Sequence, residues 1–215
     1  MNNTWKAAKL DFSLVKPYSK VIGLTMLLPI AFAAINRSLL TGVSFAMCFI
    51  TRATVYTFSV TEKNNMERLY GIVPVKKSEL VTGRYLFVLA LGALALTVSL
   101  IAQPIVLRAM GENIGVFDIV SAAIGGLFLF ALYTVFQIPG YYKYGSIKGR
   151  VFMYIPVVGF LATLLLLPKM TADNPIMTTI ARSPVLLIAL AIALVVMMYA
   201  VSIWLSIRIM KKKEI

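Results

Sequence analysis

Histidine is absent from this 215-residue chain, cysteine occurs once, and eight acidic residues stand against 21 lysines and arginines. Without histidine, Ser-His and Cys-His nucleophile pairs, imidazole general bases and most zinc sites cannot be assembled. Cys48, the lone thiol, lies inside an apolar run without an intrachain partner, so neither a disulfide framework nor a cysteine metal site is available. Asp11, Asp118 and Asp173 are far apart and fall on different sides of the apolar runs, which removes the clustered aspartates that membrane phosphotransferases use. No G-x-x-x-x-G-K-[ST] phosphate loop is present, since Tyr144-Gly145-Ser146-Ile147-Lys148-Gly149 has the wrong order of glycine, lysine and hydroxyl. The chain therefore offers no catalytic residue and no metal site of its own.

What fills the sequence instead is hydrocarbon: 60% of the residues are hydrophobic and 13% charged. That usage lies outside an ordinary soluble domain and makes the bilayer the solvent. The net charge of +13 does not form a face for nucleic acid, because the basic residues flank apolar runs. Those runs are Val21 to Ile35, Leu39 to Val60, Tyr85 to Leu107, Val116 to Ile138, Val151 to Leu167 and Pro184 to Ile207. At roughly 20 residues per span they predict an all-α, polytopic membrane protein of six transmembrane helices forming one domain, residues 1–215. The first run is short, but Tyr18 to Lys20 can extend it while Lys20 snorkels. Setting Arg52 aside, about sixteen lysines and arginines lie on one side, and only Arg37, Arg108, Lys169 and Arg182 lie on the other. The positive-inside rule then puts both termini in the cytoplasm.

Residues 1–20 predict an interface helix. Trp5, Ala8, Phe12 and Val15 recur at helical spacing, with Lys6, Lys9 and Lys16 largely on other faces, a pattern suited to the headgroup layer. Ser183-Pro184 reads as the start of the last helix and Pro139-Gly140 as the end of the fourth. Gly125-Gly126 and Pro156 fall inside spans, where close helix packing is the expected role. Arg52 is a charge inside the second run, at a cost of about 2.5 to 3.5 kcal/mol at a helix centre on insertion scales. It either faces a pathway or snorkels to headgroups. Asn36, Gln103 and Gln137 fall near span ends, where interfacial hydrogen bonding accounts for them, and Asp118 reads as a helix-terminal carboxylate.

The connection over residues 61–80 is too organised for a passive loop. Met66, Leu69 and Tyr70 share one face of a short predicted helix, Glu62, Lys63, Glu67 and Arg68 supply charge, and Gly71 is placed to end it. Pro74 blocks simple continuation, and a new helix can begin from Lys76 and Lys77. The result is a helical elbow with an apolar anchor and charges to fix its register.

At Glu62-Lys63, Val73-Pro74-Val75 and Lys76-Lys77 the chain resembles membrane subunits of ABC transporters of the type-2 exporter class, which often carry Glu-Lys, an apolar-Pro-Val step and basic residues. The six-span layout and N-terminal helix resemble that class as well, so the likeness covers nearly the whole chain. Valine precedes Pro74 where leucine is frequent. The resemblance extends to small bacterial permeases, including exporters of amphipathic peptide toxins such as phenol-soluble modulins. It implies that the elbow is a coupling helix seated in a separate ATP-binding subunit, which carries ATP and magnesium. It also implies a second permease chain, identical or related, around a twofold axis in the bacterial cytoplasmic membrane, and an amphipathic peptide as substrate. A lipid or drug exporter, a secondary transporter, and an accessory or immunity subunit are the alternatives. A secondary transporter needs midplane ionisable groups, of which this chain has few beyond Arg52.

Overall fold

The structure is a computed structural model that describes residues 3–66, 75–156, 158 and 184–212. Every described element is helical: α1 (Asn3–Val15), α2 (Ser19–Asn36), α3 (Leu39–Thr51), α4 (Ala53–Lys63), α5 (Lys77–Ala109), α6 (Val116–Lys148) and α7 (Pro184–Lys212), with 3-10 turns at Lys16–Tyr18 and Gly149–Met153. Among the described residues, five helical stretches are long and apolar enough to cross a membrane: Asn3–Asn36, Leu39–Lys63, Lys77–Ala109, Val116–Pro156 and Ile192–Lys212. Most of the run from Val151 to Leu167 and the cap residue Ser183 lie outside the described residues.

Pro17, which has no amide donor, sits in the 3-10 turn that joins α1 to α2. After α2, Arg37 adopts the left-handed conformation with φ 49° and the chain reverses. Ser38 opens α3, its Oγ accepting the Thr41 amide at 3.3 Å. The second apolar run is one rod broken at Arg52. A reason lies in its threonines: Thr51, Thr54, Thr57 and Thr61 each donate a hydroxyl hydrogen bond of 2.6–2.7 Å to a carbonyl one turn back. Such back-bonding competes with the helix ladder and bends it.

The Glu79 carboxylate accepts the Lys76 amide at 3.2 Å and so starts α5, close to the predicted restart at Lys76 and Lys77. Asp118 plays the same part for α6, accepting the Gly115 amide at 2.9 Å, as expected of a helix-terminal carboxylate. The predicted end at Pro139-Gly140 is overturned, because α6 runs through both residues and kinks only at Gly145, where φ is 79°. Proline at 139 frees the carbonyl of residue 135. Ser202 Oγ, arriving from α7, donates to that Val135 oxygen at 2.7 Å, so the break is repaired by a neighbouring helix.

Small residues let the rods approach. A Cβ on Gly126 would lie 2.8 Å from Val43 Cγ1, and one on Gly83 would lie 2.6 Å from Ala7 Cβ. These contacts seat α6 on α3 and α1 on α5, in keeping with the packing role expected of Gly125-Gly126. Leucine, isoleucine and phenylalanine point outward along every span, as at Leu24, Ile35, Ile105 and Phe117. Threonine, serine and glutamine lie inside. Gln103 and Gln137 are both 0% exposed, which corrects their reading as interfacial residues. Each lies more than a turn inside a helix that outlasts its apolar run: Gln103 packs on Gly42, and Gln137 donates to the Tyr141 hydroxyl. Their positions relative to the apolar runs had hidden this.

Candidate functional site

The two stems of the elbow, the end of α4 and the start of α5, lie at one end of the bundle, with α1 packed on both. Lys63, Lys76, Lys77, Lys148, Lys211 and Lys212 gather at that end, whereas Arg37 and Arg108 mark the far end, where Arg37 pairs with Glu112 at 3.4 Å. The partition of charge expected from the sequence is thus physically present among the described residues.

Glu62 and Lys63 form the last turn of α4, and the Asn64–Asn65 turn, with Asn65 at φ 49°, separates them from Met66. They are therefore not part of one short helix with Met66. The reason is that the spanning helix outlasts its apolar run. Nor is the Glu62 carboxylate a simple surface charge: it accepts both the backbone N–H, at 2.9 Å, and the hydroxyl of Ser146. This closes the kink after α6. A side chain at Gly145 would sit 2.8 Å from Glu62 Oε1 as well as straining its positive φ, so glycine is required there. Lys76 and Lys77 begin the other stem. Glu67, Arg68, Leu69, Tyr70, Gly71 and Pro74 lie outside the described residues.

Beneath the elbow sits a cation that the sequence offered only as one of many. Arg84, about two turns into α5, is buried, and its guanidinium grips Asp11 of α1 through Nε at 3.1 Å and Nη2 at 3.0 Å. The Nη2 group also donates to Thr61 Oγ1 of α4 at 3.2 Å. The guanidinium plane lies over the Phe58 ring at 4.4 Å and the Tyr142 ring of α6 at 5.7 Å. One side chain thus joins α1, α4, α5 and α6, and Asn3 adds a bond to Glu79 at 3.3 Å. A forked guanidinium suits this task because it can meet a carboxylate with two bonds and still present a face to aromatic rings.

The sequence carried one signal for this node. Asp11 is the sole acid in the N-terminal helix and lies at helical spacing from Ala8 and Val15, the two members of the predicted apolar face that are buried. Trp5 and Phe12, assigned to that same face, are turned away from the bundle, at 57% and 59% exposed. The protein-facing stripe is Ala7, Ala8, Asp11 and Val15, chosen by the small side chains that can approach Gly83.

Arg52 lies at the break between α3 and α4, exposed, with its guanidinium 5.6 Å from the Phe49 ring centre. It opens α4, the helix that carries Phe58 and Thr61 of the Arg84 node further along.

The model of the ABC-2 family transporter protein matches residues 8–211, nearly the whole chain. The chain belongs to that family. It is an ABC-2 permease component, a multi-pass membrane protein that associates with an ABC ATP-binding subunit. No curated protein and no solved structure matches it. Among the described residues no group of three or more Cys, Asp or Glu side chains is placed to hold a metal.

Proposed function

We propose that this ABC-2 chain is the permease of an ATP-driven exporter in the bacterial cytoplasmic membrane, driven through the 61–80 elbow by a separate ATPase subunit that binds ATP and magnesium. The observation that carries the reading is the Arg84 node. A force delivered to the elbow reaches α4 and α5 at once, because Arg84 bonds Thr61 on one stem and stands on the other. Through Asp11 and Glu62 the same displacement is passed to α1 and to the end of α6. A loop without such bracing would absorb the motion.

Topology agrees with a six-span exporter. In α7, Ser202 and Ser206 meet Tyr85 near the start of α5, while Tyr199 meets Thr134 of α6. Helices α6 and α7 therefore both end at the basic end, and chain continuity between them supports a sixth crossing. With the lysine-rich end taken as cytoplasmic, both termini lie there. One chain of about six spans makes a thin bundle, which supports a second permease chain, identical or related, completing the pathway about a twofold axis. The substrate we assign is an amphipathic peptide, for which the elbow's likeness to small peptide-toxin permeases and the apolar spans are the support.

The test is co-purification. The tagged chain, extracted from its native membrane in mild detergent, brings down a stoichiometric ATPase, and changing Met66, Leu69 and Tyr70 together to serine releases it without lowering the chain's melting temperature. Retention of the ATPase by the triple variant would overturn the elbow as the coupling element. An ATPase absent from both samples would overturn the exporter reading.

A further inference from the structure

The outward face of α1 is sorted into stripes. Trp5 and Phe12 stand about two turns apart and so share one line along the helix, at 57% and 59% exposed. Lys9 and Lys16, the latter in the 3-10 turn that continues α1, repeat that spacing and form a second exposed line about 40° further round. The opposite side, Ala7, Ala8, Asp11 and Val15, is buried against the bundle. Asp11 is the only acid among residues 1–20 and is turned inward onto Arg84, so the lysine stripe has no counter-charge on its own helix.

The level of α1 follows from what it touches. It packs on Gly83 and bonds Arg84 of α5, and Arg84 in turn holds Thr61 of α4. These three residues adjoin the points where the apolar runs stop, Val60 and Tyr85, while Lys63, Lys76 and Lys77 lie beyond them. The helix therefore sits at the boundary between hydrocarbon and headgroups at the basic end. Tyr18, just after α1, stacks on Tyr56 at 4.6 Å, an aromatic pair suited to the same boundary. At that depth exposed rings are solvated by the glycerol and upper acyl region, and lysines beside them reach the phosphates.

We infer that the outward face of α1 is a binding surface for anionic phospholipid, with Trp5 and Phe12 against its glycerol and upper acyl region and Lys9 and Lys16 on its headgroup charge. The parallel stripes are the argument for this occupant, because a bilayer of anionic lipid presents apolar and negative surface side by side along the whole helix. A zwitterionic lipid offers the rings the same surface, but its own ammonium group offsets the phosphate charge that the lysines would meet. The inference needs neither the ATPase nor the cargo, and so stands apart from the exporter reading.

Trp5 reports on its own face once Trp204, the other tryptophan of this chain, is changed to phenylalanine. The full chain carrying Trp204→Phe is placed in phosphatidylcholine nanodiscs that contain a fixed fraction of lipid brominated high on its acyl chains, either phosphatidylglycerol or phosphatidylcholine. Quenching of Trp5 should favour the brominated phosphatidylglycerol by about fivefold in relative affinity for each lysine engaged, a factor equivalent to about 1 kcal/mol. High salt should shrink that preference. Lys9→Gln together with Lys16→Gln should bring the two lipids to parity and leave quenching by phosphatidylcholine unchanged; both lysines are exposed, so the fold is not at stake. Equal quenching by the two lipids in the parent chain, or a preference that survives the double change, overturns the assignment. A Trp5 quenched by aqueous acrylamide but by neither brominated lipid also overturns it, and gives the face to water or to a protein partner.

Discussion

Changing Asp11 to alanine strands Arg84. The two side chains are 5% and 7% exposed, so water neither screens the pair nor takes over its bonds, and both guanidinium bonds at 3.0–3.1 Å are lost together. Breaking a buried pair by removing one partner costs about 3 to 5 kcal/mol, because the remaining charge is left uncompensated. Arg84 keeps Thr61 and the Phe58 ring, which places the cost near the lower figure. For a chain of this length that corresponds to a fall in melting temperature of about 6 to 12 °C. The decisive comparison is the double variant Asp11→Ala with Arg84→Met, in which no charge is stranded and the methionine stem still fills the space among Phe58, Thr61 and Tyr142. It should recover at least half of the loss, and detergent-solubilised chain followed by fluorescence-detected gel filtration after heating will read all four corners of the cycle. A wild-type melting temperature for Asp11→Ala, or a double variant that falls by the sum of the single changes, would refute the coupling between the two residues and with it the bracing of the elbow.

Two further outcomes follow from the buried polar groups. Ser202→Ala leaves the Val135 carbonyl without a donor at the Pro139 gap and should destabilise the chain by about 1 to 3 kcal/mol. Adding Pro139→Ala returns the missing helical amide, so the pair should melt above the single serine variant; a pair that melts lower would contradict the repair. Gln103 has neither side-chain polar atom bonded, and Gln103→Leu should therefore match or exceed wild-type stability in the same assay, a clear loss showing instead that the amide serves an interaction of its own.

The spans and the sorting of lysines could be read from the chain because both follow from transfer energies summed over many residues. The start of α5 was readable as well, since Pro74 and the basic residues after it are local signals. What escaped was tertiary. Pro139-Gly140 reads as a helix end until Ser202, distant in sequence, is seen to satisfy the freed carbonyl. Gln103 and Gln137 seemed to lie at span ends, but the helices continue past their apolar runs. Asp11 and Arg84 each looked like one more charge near a membrane surface, and only the packing of α1 against Gly83 shows that they meet. Of the elbow, the anchoring residues on its stems come from the structure, and the face of Met66, Leu69 and Tyr70 rests on sequence periodicity.

The threonines of α3 and α4 separate two kinds of joint in this bundle. Their hydroxyls are spent on their own backbone, so what Thr51, Thr54 and Thr57 turn toward neighbouring helices is a row of methyl groups. Methyl against methyl or ring has no preferred direction, and among the described residues the first directional bonds from this rod to other helices are those at Thr61 and Glu62. On the opposite flank, Tyr85 is pinned to Ser202 and Ser206, and Thr134 to Tyr199, in directional bonds that fix α7 to α5 and α6. If the elbow receives a stroke as proposed, that stroke would be steered: the greased rod that carries Arg52 would yield, and the pinned helices would act as the wall it moves against.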